Sequence, residues 1–352
     1  MRVYQFILTI GIAFSILSCD LSTLVEDPVV STSEIDLPRK REFAIALHGG
    51  AGYIEKGQFS DSIEQLYRDK LSEAIEKGHS ILEAGGSSID AVVATIKILE
   101  DSPLFNAGKG AVLSHSGQPE LDASIMDGKT LNAGAVAGVS HIKNPIDLAN
   151  TVMNKSKHVL LAGVGAEQFA HAHGFDFTSR DYFITPERLQ DLERTKASDT
   201  INLSMNYDPF IQNSKMGTVG CVALDKNGNL AAGTSTGGLT NKKYGRIGDS
   251  PIIGAGTYAN NETCAVSCTG VGEYFIRGAV AYDMSALMEY KGLTVQEAAQ
   301  LIIQHKQPKL GGVGGLIAMD KSGNTTMEFN TPGMFRAKMD DRGELEIKMY
   351  GK

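Results

Sequence analysis

The chain has 352 residues, 42% hydrophobic and 21% charged, a composition that excludes a disordered protein and allows one large core or two smaller ones. Thirty-three Lys and Arg against 41 Asp and Glu give a formal charge of −8, which argues against nucleic acid as a partner, because counterion release from phosphates rewards surplus cations. A small-molecule or peptide substrate fits this balance better.

Residues 1–18 read as an export signal: Arg2 supplies a positive start and residues 6–17 an apolar run too short to span a bilayer. Ile16-Leu17-Ser18-Cys19 is similar to the lipobox of bacterial lipoproteins, in which the cysteine is lipidated, and the polar stretch after it looks like a tether over 19–40. The sequence thus predicts an exported chain, lipid-anchored through Cys19 at a bacterial membrane. Cys221, Cys264 and Cys268 read as small buried hydrophobes, since Cys264 and Cys268 lack the spacing of redox or zinc motifs. A Cys264–Cys268 disulfide stays open in an oxidising compartment, although a strand between them would hold the two too far apart.

Residues 41–48 form an apolar run that reads as a strand closing in the glycine turn 49–52, and helical spacing follows over 66–79 and 88–99. Strands are predicted at 111–114, 121–126 and 133–139, and helices at 145–154 and 164–173. Over 174–216 periodicity fades after Arg194, so the second half of this segment reads as a mobile surface linker. The pattern then changes. Residues 219–225 and 230–234 read as strands around the turn Lys226-Asn227-Gly228-Asn229, a hairpin. Further strands are predicted at 263–268, 314–320, 325–329 and 345–349, with helices at 273–290 and 295–305. Helices in packets between runs of strands point to the α+β class.

The linker ends at Met216-Gly217-Thr218-Val219-Gly220, directly before a buried-looking strand. A threonine hydroxyl is a weak nucleophile, and one way to activate it is the threonine's own α-amine, present only if Thr218 begins a chain. An α-amino pKa near 8 suits that role better than the roughly 10.4 of lysine. Gly233 to Gly238 places several hydroxyls at the end of the hairpin's second strand, beside the start of the first. Arg246 and Asp249, in a turn-rich segment, offer a guanidinium for a carboxylate and a carboxylate for an ammonium, the two ends of an amino acid.

Seven ordered motifs carry a resemblance: His48-Gly49-Gly50-Ala51-Gly52, Pro103-Leu104-Phe105-Asn106-Ala107-Gly108, Leu121-Asp122-Ala123, Gly217-Thr218-Val219-Gly220, Thr234-Ser235-Thr236-Gly237-Gly238, 245–251 and Cys268-Thr269-Gly270. From about residue 44 to 335 the chain resembles the plant-type asparaginase and isoaspartyl-peptidase family of N-terminal-nucleophile hydrolases. The resemblance implies a four-layer αββα sandwich cut into an α chain, 41–217, and a β chain, 218–352. It implies that Thr218 is the nucleophile of both self-cleavage at Gly217 and turnover, that Thr236 orients it, and that Thr269 and Gly270 form an oxyanion hole. Arg246 and Asp249 would bind substrate, with Gly272 near that end and Asn106 at the edge of the site. Leu99, Glu100, Ser102, Phe105, Ala107 and Lys109 match a loop that in relatives holds a sodium ion through backbone carbonyls, and no other cofactor is implied. Relatives assemble as homodimers of αβ units.

His48-Gly49-Gly50-Ala51-Gly52 lacks a partnering G-x-S-x-G elbow, which removes an α/β-hydrolase reading. Two rivals remain. One is glycosylasparaginase, whose relatives carry Asn where this chain has Gly238 and favour Asp-Thr where it has Gly217-Thr218. The other is a surface lipoprotein that binds without ever cleaving itself.

Overall fold

The computed structural model describes residues 39–201 and 217–351. The leader 1–18, Cys19, most of the tether and residues 202–216 of the linker lie outside them. In chain order the elements are β1 (Ala44–Gly52), α1 (Asp61–Glu83), α2 (Ser88–Glu100), β2 (Leu121–Asp127), β3 (Ala133–Val139), α3 (Pro145–Lys155), β4 (Leu160–Ala162), α4 (Gly163–Ala172) and α5 (Pro186–Ile201). After residue 217 come β5 (Val219–Leu224), β6 (Leu230–Thr236), β7 (Thr257–Ala259), β8 (Cys264–Gly270), α6 (Gly272–Gly278), α7 (Val280–Lys291) and α8 (Val295–Gln300). A π-helical turn, Leu301–Lys306, leads into α9 (Gln307–Leu310), and β9 (Gly314–Asp320), β10 (Thr325–Phe329), β11 (Gly333–Asp340) and β12 (Leu345–Tyr350) follow.

Three helices, α1, α2 and α8, begin at a capping side chain. Ser60 and Ser87 accept the free N–H groups of Ile63 and Asp90, and Thr294 with Glu297 closes a reciprocal capping box at α8. The strands form an eight-stranded sheet in the order β12-β11-β1-β5-β6-β2-β3-β4 and a four-stranded sheet in the order β10-β9-β8-β7. All pairs are antiparallel except β3–β4.

Side chains alternate faces along a strand, and this alternation sorts the core. Ile45 and Leu47 of β1 and Val219 and Cys221 of β5 pack with Leu71 and Ile75 of α1 and Val92 and Ile96 of α2. Their neighbours Ala44, Ala46, Val222 and Ala232 pack instead with Ala265, Ile317 and Met319 of the small sheet. The opposite face of that sheet, through Cys264, Val266, Leu316 and Ala318, meets Val280 and Met284 of α7 and Val295 and Ala298 of α8. Cys221, Cys264 and Cys268 are buried free thiols, as the spacing predicts.

Several local expectations are corrected. The glycine run 49–52 continues β1 rather than turning out of it, because β11 pairs along it with a bulge between His48 and Gly50. Residues 111–114 are no strand beyond one isolated bridge, Leu113 to Pro119. The segment after Arg194 that reads as mobile begins in the last turns of α5, which runs to Ile201, and the rest of it, 202–216, lies outside the described residues. The helix predicted over 273–290 is two helices broken at Ala279, whose φ of 45° is left-handed. The short strands β4 and β7 and the strand β11 carry little local signal.

Candidate active site

Thr218 ends the approach to β5 and Thr236 ends β6, and the hairpin register brings the two strand ends together. The Thr218 hydroxyl donates to Thr236 Oγ1 at 3.0 Å, and Thr236 donates on to the carbonyl of Gly217 at 3.3 Å. Gly238 N–H donates to Thr236 Oγ1 at 3.0 Å, fixing that hydroxyl from behind. Thr218 is only 6% exposed. Asn106 donates from Nδ2 to Gly217 O at 2.7 Å and to Gly238 O at 2.8 Å, while its Oδ1 accepts Val112 N–H at 2.9 Å. Asn106 therefore sits on the carbonyl of the Gly217–Thr218 peptide rather than at the rim of the site. Two donors on that oxygen are what developing negative charge there requires.

Gly50 packs against the same peptide. A Cβ at this residue, whose φ is +110°, would lie 2.7 Å from Gly217 Cα. Thr269, from the small sheet, is buried and accepts Ala51 N–H at 3.3 Å, which leaves its own O–H free to donate. Gly270 follows at φ +150°, and a Cβ there would meet the Val313 carbonyl at 2.5 Å.

The predicted substrate clamp converges on Gly272. A Cβ on Gly272 would come within 2.9 Å of both an Arg246 guanidinium nitrogen and Asp249 Oδ1. Arg246 is held in a bidentate pair with Glu273, Nε to Oε1 at 2.9 Å and Nη2 to Oε2 at 2.8 Å. Sequence reasoning missed Glu273, which lies 27 residues away with no motif to couple the two. Burial opposes ionisation of Glu273, yet the Arg246 bonds outweigh it and hold its carboxyl below the usual range. Asp249 is different: burial pushes it up to about 7 against the pull of Arg246, and its Oδ2 finds no partner among the described residues.

The loop after α2 is crowded by carbonyls. A Cβ on Gly108 would lie 2.3 Å from the Glu100 oxygen, and one on Gly110 would lie 2.1 Å from that of Phe105. The carbonyls of Leu99 and Ala107 also accept N–H groups, from Ser102 at 3.3 Å and Gly110 at 3.1 Å. A donor set of carbonyls fits a hard cation. The Lys109 ammonium lies over the Tyr182 ring, 5.2 Å from its centroid, an interaction that engages its charge.

A buried threonine hydroxyl bonded through Thr236 to the carbonyl of Gly217, with a guanidinium and a carboxylate gathered around Gly272, is the kind of site a hydrolase presents. Residues 41–348 match the family model described as Asparaginase, and the chain belongs to that family. It is 53% identical to the isoaspartyl peptidase of Salmonella typhimurium over 83% of this chain and 94% of that one. Against the Escherichia coli isoaspartyl peptidase the figures are 52%, 83% and 91%. Against the probable isoaspartyl peptidase/L-asparaginase 2 of Arabidopsis thaliana they are 43%, 88% and 99%. The expectation of an exported chain with a lipid on Cys19 is corrected here. The family match begins at residue 41, past the leader and tether that prompted it, and no helix among the described residues is long and apolar enough to cross a membrane.

Proposed function

We propose that Thr218 cuts the peptide bond before it and then hydrolyses the side-chain amide of L-asparagine and the β-aspartyl bond of isoaspartyl peptides, releasing aspartate. The observation that carries this reading is the chain from the Thr218 hydroxyl through Thr236 to Gly217 O, with Asn106 on the same oxygen. In maturation, Thr218 Oγ bonds to the Gly217 carbonyl carbon, the C–N bond breaks and the nitrogen takes the hydroxyl proton, leaving an ester. Water hydrolyses the ester and frees Thr218 as the first residue of a β chain, 218–352.

Its α-amine, with a pKa near 8, then serves as base for the same hydroxyl. Arg246 takes the substrate α-carboxylate, Asp249 the α-ammonium, and Gly272 leaves the space between them. Thr218 Oγ adds to the side-chain carbonyl while Thr269 and Gly270 N–H donate to the developing oxyanion. Ammonia or an amino acid departs with a proton, and water releases aspartate from the β-aspartyl ester. The relatives' names support this substrate class over glyco-asparagine. The three core clusters support the four-layer αββα sandwich as the frame, and the resemblance supports a homodimer of αβ units. A sodium ion, held by carbonyls of the loop from Leu99 to Lys109, would brace the loop that carries Asn106.

A denaturing gel tests the reading. The purified protein is expected to run as two chains, the smaller with Thr218 at its N-terminus, and to hydrolyse a β-aspartyl dipeptide. Thr218→Ala is expected to stay whole and inactive. A single full-length band that persists on incubation, or a cleaved Thr218→Ala variant, rejects it.

A further inference from the structure

Two residues along the strands from Thr218 and Thr236, a row of polar side chains crosses a layer otherwise built of Ala, Val, Leu, Ile and Met. His48, Thr234 and Ser124 come from the large sheet and Ser267 and Thr257 from the small one, and all five are 0% exposed. Register makes the row: His48 lies opposite Gly220, Gly220 opposite Thr234, Thr234 opposite Ser124, and Thr257 opposite Ser267. Buried polar groups are costly unless bonded, and each of these is. Thr257 donates to Thr234 Oγ1 at 2.6 Å, Ser124 Oγ lies 2.8 Å from Thr257 Oγ1 and 2.6 Å from Ser250 O, and Thr234 meets Ser267 at 2.7 Å. Ser267 Oγ is 2.9 Å from His48 Nε2, and His48 Nδ1 is 3.0 Å from the carbonyl of Thr218.

The direction of these bonds follows from one end. A carbonyl only accepts, so Nδ1 carries the proton that faces Thr218 O. Burial pushes His48 down to about 3, so the ring is neutral in ordinary buffers, Nε2 is bare, and Ser267 donates to it. Gly220 is small for the same reason. A Cβ there would lie 1.9 Å from Ser267 Oγ and 2.4 Å from His48 Nε2, inside the bond that sets the tautomer.

We propose that His48 is a positioning residue for Thr218: its Nδ1–H, presented by the Ser267 hydroxyl on Nε2, holds the Thr218 carbonyl and with it the backbone from which nucleophile and α-amine project. The row ends at its far side on the carbonyl of Ser250, the residue after Asp249. This inference rests on the functional reading above, in which Thr218 is the nucleophile.

The test starts from parental protein whose cleavage and β-aspartyl dipeptide turnover have been measured; absence of both would sink the functional reading and this one with it. His48→Asn, which keeps an N–H near the place of Nδ1, is expected to cleave and turn over within about threefold of the parent. His48→Leu is expected to cleave at least about tenfold more slowly, with kcat of the mature enzyme reduced to match and KM unchanged, because Arg246 and Asp249 are untouched. Ser267→Ala, which frees the ring to turn a bare Nδ1 toward the carbonyl, is expected to fall between them with the same split. Thermal melting identifies variants that fail to fold. If His48→Leu is among them, Ser267→Ala and His48→Asn decide. Parental kcat in Ser267→Ala, a raised KM in place of a lowered kcat, or a His48→Asn loss as large as that of a folded His48→Leu overturns the proposal.

Discussion

Asp249 carries the sharpest consequence at the scale of single residues. Its carboxyl is pushed up to about 7 by burial, and under the proposed function it must be ionised to receive a substrate ammonium. The Thr218 α-amine, near 8, must be neutral to act as base. In the free enzyme both groups therefore have to lose a proton, whereas in the complex the bound ammonium keeps Asp249 ionised. As pH falls below about 7, kcat/KM should drop with a limiting slope of about two and kcat with a slope of about one. Asp249→Asn should bind more weakly and lose one unit of the kcat/KM slope. A pH profile of that variant still falling with a slope of two would remove Asp249 from this role. The sign for folding is opposite: a carboxyl raised from about 4 to about 7 contributes stability below pH 4 that is lost as pH rises to 7, so the site is built at some cost to the fold. Arg246 and Asp249 stand out from residue type alone, and the fold gathers both around Gly272. Glu273 does not, because nothing local marks a partner that folding brings from the next helix but one segment away.

Among the elements, the hairpin of β5 and β6 was readable because Asn227-Gly228 supplies its turn and alternation its strands, all within one short stretch. β1 was only half readable. Gly49, Gly50 and Gly52 look like a turn, and what keeps them in a strand is β11, nearly 300 residues on, which pairs from Ala44 to Gly52. β11 itself went unread, as did β7, since their pairing is non-local and their local pattern weak. The bulge in β1 has a use: it brings Gly50 onto the Gly217–Thr218 peptide, where a Cβ would lie 2.7 Å from Gly217 Cα and 3.2 Å from Thr218 N. The positive φ of Gly50 adds strain to any substitution. Gly50→Ala is accordingly expected to fold with a modestly lower melting temperature but to cleave at least about tenfold more slowly, because displacement of the peptide by even about 1 Å spoils the attack geometry. A time course on a denaturing gel measures it, and a parental cleavage rate would show that the close approach does not hold the peptide.

Across the whole molecule, a cut at residue 217 divides the sequence but not the sheet. In the eight-stranded order β12-β11-β1-β5-β6-β2-β3-β4, strands from before the cut alternate with strands from after it: β1 lies between β11 and β5, and β2 pairs with β6. Three strand interfaces therefore join the two halves, and the core under them mixes Leu71, Val92 and Ile146 from one half with Val219, Cys221 and Ala337 from the other. Neither half can bury its apolar face alone, so separation would cost nearly the whole of folding. The mature protein is expected to keep both chains together through native size-exclusion chromatography and to lose them in one cooperative thermal transition, with the two chains parting only under denaturing conditions. The same logic requires folding to precede cleavage, since the Gly217–Thr218 peptide meets Asn106, Gly50 and Thr236 only once the interleaved sheet exists. The check is to express 39–217 and 218–352 as separate chains and mix them: they should yield far less active enzyme than the same sequence expressed intact. Two melting transitions in the mature protein, or a 218–352 chain that elutes folded on its own, would mean that the halves are separable after all.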